Sequence, residues 1–266
     1  MKIEQRWTRG SSASVHDVQD LTGGSDFGAF SAVAWYFGRQ LADALRSLEG
    51  AAVPIGLVSS NIGGTAIQDW SPAAANAGCN GGNPPPYPPW LPFPPKAGVP
   101  PQPCPRCMGN ATLYNGNVAP FTVGPMRLSG MLWYQGEANA DVNQTYGYYD
   151  CALKGLIRSW RRGFGNAGAF FGVVMLAAYT TDASFSPAGI APLRDTQMAC
   201  LDLVGVALVA ATDLGDPGTA IGPGGASSLH SVHPRHKRPL GARLAAAALD
   251  LRYGVGGAAR DYVSPR

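Results

Sequence analysis

Three short strings in this 266-residue chain carry groups suited to catalysis. The first is Ser59-Ser60-Asn61-Ile62-Gly63-Gly64-Thr65, which follows an apolar run. Glycines directly after a strand let backbone N–H groups approach a ligand oxygen, as an oxyanion site or a phosphate cradle requires. No Gly-Lys-Ser/Thr follows, so a Walker-type loop is excluded, and a tight strand exit is the plainer alternative. The second is Trp133-Tyr134-Gln135-Gly136-Glu137-Ala138-Asn139. Its Gln amide could donate to a developing oxyanion and its Glu could orient that amide, or the string could simply open a polar loop. The third, His230-Ser231-Val232-His233-Pro234-Arg235-His236-Lys237, suggests acid–base chemistry, a metal site or a solvated face. A metal reading is weakened by Pro234 between His233 and His236, and by the lack of any carboxylate between Asp216 and Asp250.

These strings need elements to hold them. Phe30, Val33, Ala34, Phe37, Leu41, Ala44 and Leu45 recur at helical spacing, predicting a helix over 30–46 with Ser31 or the Gly28 region at its start and Gly50 just past its end. Further helices are expected over 143–160, 192–201 and 239–252. Nearly all-apolar runs predict strands over 53–58, 128–134, 170–176 and 204–211. Strands of that kind alternating with helices imply a parallel sheet covered on both faces, with ligands bound beyond the carboxyl ends of the strands. All three strings fall after predicted strands, which marks an enzyme-like α/β domain.

Composition narrows the rest. Hydrophobic residues make up 45% of the chain and charged ones 14%, a balance that supports a packed core and argues against disorder. The 35 Gly and 23 Pro are concentrated, and the densest segment, about 71–109, reads as an inserted surface loop excluded from the core. A net charge of +3 is too small to imply a nucleic-acid partner. The longest apolar stretch, 169–179, is about half of what a bilayer requires. Residues 1–6 contain no apolar signal region, whereas Asn110-Ala111-Thr112 and Asn143-Gln144-Thr145 are sequons compatible with secretion. Five cysteines leave at least one thiol free or paired between molecules. The Cys104-Pro105-Arg106-Cys107 motif is read as a structural disulfide or inert thiols, as a clip with Cys79, or as part of a metal site.

Taken in order, the three strings resemble the sialate O-acetylesterase family of SGNH-type hydrolases. The matching pieces are Pro54-Ile55-Gly56-Leu57 running into Gly63-Gly64-Thr65, then Trp133-Tyr134-Gln135-Gly136-Glu137 with Asn139, then His233-Pro234-Arg235 with Lys237. Phe30-Ser31-Ala32-Val33 and Leu113-Tyr114-Asn115 also fit. The resemblance implies a single three-layer α/β/α sandwich with a mostly parallel, flavodoxin-like sheet. It further implies an esterase that removes O-acetyl groups from sialic acids without metal or organic cofactor, in a lysosomal or secreted setting. Carried over by position, His233 is the general base, Gly63 (backbone N–H) and Gln135 (side-chain amide) are oxyanion donors, and Glu137 and Asn139 shape the pocket.

Two departures qualify that expectation. The family's nucleophilic serine sits in a Gly-Gln-Ser-Asn-Met-like segment upstream of the region matching Phe30, and no such string occurs in these 266 residues. Ser11, Ser12, Ser14 and Ser25 lie in other contexts, while Ser59 and Ser60 match the oxyanion string. The chain therefore reads as shortened at its N-terminus, with a sheet incomplete there and an impaired activity. A non-catalytic remnant or glycan-binding protein is the alternative. The second departure is at the position three before His233, where SGNH hydrolases often carry Asp and this chain has His230.

Overall fold

The computed structural model describes residues 9–10, 30–79, 111–140, 145–178, 189–215 and 233–255. Its longer helices are α1 (Ala32–Glu49), α2 (Tyr149–Gly163), α3 (Ile190–Met198) and α4 (Arg238–Tyr253). Its strands are β1 (Gly130–Trp133), β2 (Phe170–Met175) and β3 (Val206–Ala210). The described residues form two compact units, one made of those up to Asn61 with those from His236 on, the other running from Ile62 to Arg235.

In the first unit the helix boundaries follow their capping residues. Ser31 Oγ accepts the Ala34 N–H at the start of α1, and Gly50 ends it in the left-handed conformation at φ 67°. Pro239 occupies the first turn of α4, where its missing N–H costs nothing, and Gly254 closes that helix at φ 66°. The two helices pack together through Leu41, Leu45, Ala245 and Leu249, with Val53 and Ile55 laid against that cluster. Residues 53–60 alternate between half-buried and exposed, the period-two pattern of a strand. The strand expected over 53–58 is extended in this way but has no ladder partner among the described residues.

The second unit holds a parallel sheet in the order β1-β2-β3, with Trp133 opposite Val173 and Met175 opposite Ala210. It is an α/β fold of the expected class: α2 links β1 to β2, and α3 links β2 to β3. Every residue of β2, the central strand, is buried. Leu153, Leu156 and Ile157 of α2 are fully buried as well, each contributing roughly 1.5–3 kcal/mol of hydrophobic stabilisation. Trp70, Trp133, Trp160 and Phe171 meet in a chain of edge-to-face and tilted contacts with centroids 5.8–6.2 Å apart.

The amino ends of the strands are fixed by one side chain. Arg161, at the end of α2, donates through Nε to Ala169 O (2.9 Å), through Nη1 to Val204 O (2.9 Å) and through Nη2 to Gly205 O (3.0 Å). Those carbonyls lead directly into β2 and β3.

One expectation needs correction. The start of the 71–109 segment is part of the core, for Ser71, Asn76 and Cys79 are buried. A helical turn at Ala73–Asn76 packs on α2, and Cys79 forms a disulfide with Cys151 on that helix. A crosslink to a core helix holds these nine residues in place despite their composition. Residues 80–109 of the segment, with Cys104 and Cys107, lie outside the described residues. Cys200 is a buried free thiol, pushed up to about 12 by burial and hence protonated at neutral pH. No described helix is long and apolar enough to cross a membrane.

Candidate active site

β1 leaves the sheet at Tyr134, and Gln135 follows at its carboxyl end. The chain turns sharply there at Gly136, whose φ is +153°. A Cβ at this position would stand 2.5 Å from Leu193 Cδ2, so glycine is required both for the backbone conformation and for the close approach of α3. A short helical turn, Glu137–Ala140, then brings Asn139 back towards Gln135.

The Gln135 amide donates to Asn139 Oδ1 at 2.8 Å and to the Thr65 carbonyl at 3.0 Å. Asn139 Oδ1 also accepts the Ile67 N–H at 3.0 Å, and Asn139 Nδ2 donates to Gln68 Oε1 at 3.0 Å. Gln68 in turn donates to the Tyr148 hydroxyl at 2.9 Å. Two residues separated by 70 positions, Thr65 and Gln135, are thereby joined through buried amides, and the loop after Gly63-Gly64 is fastened to the end of β1. Thr65 completes the turn, its hydroxyl donating to Ile62 O at 2.8 Å and accepting from Trp70 Nε1 at 2.9 Å.

Gln135 is held from below as well. The Tyr149 hydroxyl lies 3.0 Å from both its backbone and its side-chain oxygen, and accepts the Trp133 indole N–H at 3.2 Å. Burial, reinforced by the Glu137 carboxylate, keeps the Tyr149 phenol well above its ordinary range, so it stays a donor. The same two influences raise Tyr134. Gln197 of α3 donates to Gln135 O (3.2 Å) and Val174 O (3.1 Å) and accepts the Leu176 N–H (3.1 Å). It adds a rung between β1 and β2 just where their own pairing stops.

The five residues singled out by sequence are thus distributed as follows. Gln135 and Asn139 touch each other and hold the Gly63-Gly64 turn by its far side. Gly63 and Gly64 are exposed, Gly64 at φ 71°, and no described group accepts a hydrogen bond from either backbone N–H. Glu137 is half-buried beside Tyr134 and Tyr149. His233 is exposed next to a buried Pro234, and His230 lies outside the described residues. Both amide hydrogens of Gln135 are engaged, so donating to an oxyanion would mean exchanging one of these bonds. No cluster of three or more metal-ligating side chains occurs among the described residues.

A model of the family described as carbohydrate esterase, sialic acid-specific acetylesterase, matches residues 26–250. The chain belongs to that family. Sialate O-acetylesterase of Homo sapiens is 29% identical over 265 residues, covering 95% of this chain and 43% of the human protein. The Rattus norvegicus sialate O-acetylesterase is 33% identical over 262 residues, 87% of this chain and 44% of its own length. Among solved structures, a carbohydrate acetylesterase from Xanthomonas citri superposes with a TM-score of 0.60 at 29% identity, over 86% of this chain and 42% of its own. This member of the sialic acid-specific acetylesterase family therefore spans less than half the length of these relatives.

Sequence reasoning named Thr65 only as part of a string and missed Gln68, Tyr149, Gln197 and Arg194. Tyr149 lies within the helix expected over 143–160, where an aromatic residue on the apolar side carries no signal of its own. The available signal for Gln197 was a lone amide on a helix face otherwise turned to the core. Arg194 lies one helical turn before it, donating through Nε to Leu176 O (2.9 Å) and through Nη2 to Ala177 O. Half-buried, its guanidinium is lowered in pKa by burial, and no described acidic neighbour offsets that effect.

Proposed function

We propose that this chain carries the site of a sialate O-acetylesterase: it binds an O-acetylated sialic acid and hydrolyses the acetyl ester, with no metal or organic cofactor. His233 is the general base, and the Gly63 backbone N–H receives the oxyanion, joined by the Gln135 amide once it gives up its bond to Asn139. Glu137 and Asn139 shape the pocket, and the whole chain acts as one esterase domain. The observation that carries this reading is the tie between Gln135, Asn139 and the loop at Thr65–Ile67, which leaves the N–H groups of Gly63 and Gly64 without a described acceptor. Preorganised donors of that kind are the largest single source of rate in acyl transfer.

The family's nucleophilic segment does not occur in these 266 residues, so turnover by this chain is weak. The same fact favours a second reading, a glycan-binding protein without catalysis. Hydrolysis of an O-acetylated sialic acid by the purified chain separates them. Slow turnover that disappears in His233→Ala supports the esterase. Binding with no turnover supports the second reading, and turnover unchanged in His233→Ala removes His233 from the mechanism.

A further inference from the structure

Two arginines in the unit that holds the sheet bind backbone carbonyls, and they do so differently. Arg161 engages all three of its nitrogens, on Ala169, Val204 and Gly205, and is buried. Each of its nitrogens serves the protein's own backbone. Arg194 engages two, Nε on Leu176 O and Nη2 on Ala177 O, and is only half-buried. No described group accepts from its Nη1, and no described carboxylate pairs with it. A half-desolvated guanidinium without a counter-charge is costly to keep unless something anionic visits it.

Its position matters as much as its lack of a described counter-charge. Leu176 is bonded through its carbonyl to Arg194 and through its N–H to Gln197, and Gln197 donates to Gln135 O. Arg194 therefore sits at the same carboxyl edge of the sheet as Gln135, linked to it by three consecutive hydrogen bonds. Two backbone carbonyls fix the plane of its guanidinium, so little ordering entropy is lost when the remaining N–H groups meet a ligand. A planar, fixed fork is the geometry that suits a carboxylate.

We propose that Arg194 recognises the carboxylate of an anionic sugar bound at this edge, and so makes the site selective for sugar acids over neutral sugars. The assignment rests on the sialate reading above, because sialic acids carry an ionised carboxylate at neutral pH. Arg194 is a specificity residue here and takes no part in bond making or breaking.

The test is direct binding of N-acetylneuraminic acid and of its neutral methyl ester to the full chain, by titration calorimetry. The acid should bind roughly tenfold or more tightly than the ester, the scale of a charge-assisted hydrogen bond. Arg194→Gln should erase that preference and Arg194→Lys should keep part of it. Lys154→Gln, which removes a positive charge from an exposed pair with Asp202, should leave it unchanged. In case Arg194→Gln folds poorly, the Arg194 Nε–H signal of ¹⁵N-labelled unmodified chain gives a second readout, since it should shift on adding the acid and stay in place with the ester. An acid preference that survives Arg194→Gln, or an Nε–H signal indifferent to the acid, overturns the proposal. Equal binding of acid and ester by the unmodified chain also overturns it. If hydrolysis of an acetylated sialate that depends on His233 persists in that case, the esterase reading still stands, so the two failures can be told apart.

Discussion

The two ends of the sheet are secured by different chemistry. At the amino ends of β2 and β3 a single buried cation, Arg161, gathers three carbonyls and has no nitrogen left over. At the carboxyl ends of β1 and β2 the work is shared among neutral amides and a phenol: Gln135, Asn139, Gln68, Gln197 and Tyr149. Neutral groups can be buried there without a counter-charge, and each serves two or three partners, so the loop they hold is fixed while its outer N–H groups stay exposed. The amino end is a closed joint, whereas the carboxyl end is a frame that leaves Gly63 and Gly64 exposed. That asymmetry is the physical content of the rule that parallel sheets bind ligands beyond their strand ends.

The largest effect should come from dismantling the closed joint. Arg161→Met strips three backbone carbonyls of their charged donor; Ala169 is buried, Val204 is exposed, and Gly205 O keeps the Phe171 N–H. At about 1.5–3 kcal/mol for a hydrogen bond to a charged group, discounted for the two carbonyls that water or Phe171 still serves, a loss of about 4 kcal/mol is expected in urea unfolding. A loss below about 1 kcal/mol would mean the joint is wet and the contrast drawn above is false.

The frame is supported from outside by the Cys79–Cys151 bridge, which spans 72 positions and pins the limb carrying Thr65 to Asp69 onto α2. Replacing both cysteines by serine should lower unfolding stability by about 3 kcal/mol, since a loop of this size is released in the unfolded chain. If reductant leaves the unfolding midpoint unchanged, the amides alone hold that limb.

Gln197→Leu comes next, at about 2 kcal/mol, because it leaves the Leu176 N–H without its acceptor and withdraws one donor each from Val174 O and Gln135 O. Side-chain amide exchange at Gln135 should accelerate in this variant and stay as it was in Arg161→Met measured under folding conditions. Equal acceleration in both would show that the two ends of the sheet are one cooperative structure.

How much of this was legible beforehand follows from how local each signal is. Ser31 and Gly50 bracket α1 because capping is decided by neighbours in the chain. β2 and β3 announced themselves by unbroken apolar runs, as strands buried on both faces must. Residues 53–58 were legible as a strand but not as unpaired among the described residues, because pairing depends on a partner elsewhere in the chain. Gln135 and Asn139 were singled out through family resemblance, whereas their engagement with Thr65 and Ile67 was not legible, since contacts across some 70 residues leave no periodic trace. Ser71, Asn76 and Cys79 misled for the opposite reason: local composition marked them as loop, and a distant disulfide placed them in the core.

The smallest effect should come from the arginine at the open end. Arg194→Gln removes donors from Leu176 O and Ala177 O, as Arg161→Gln would from its own carbonyls, so a simple count of lost bonds predicts a similar penalty. Exposure decides otherwise. Arg194 is half-buried and has no described counter-charge, so releasing its guanidinium to water is favourable and offsets much of the cost of leaving the buried Leu176 and Ala177 without their donor. A change of about 1 kcal/mol or less is therefore expected in urea unfolding, against several for Arg161. A penalty as large as that of Arg161 would make Arg194 a second closed joint, and the carboxyl edge would have to be regarded as sealed where we take it to be open.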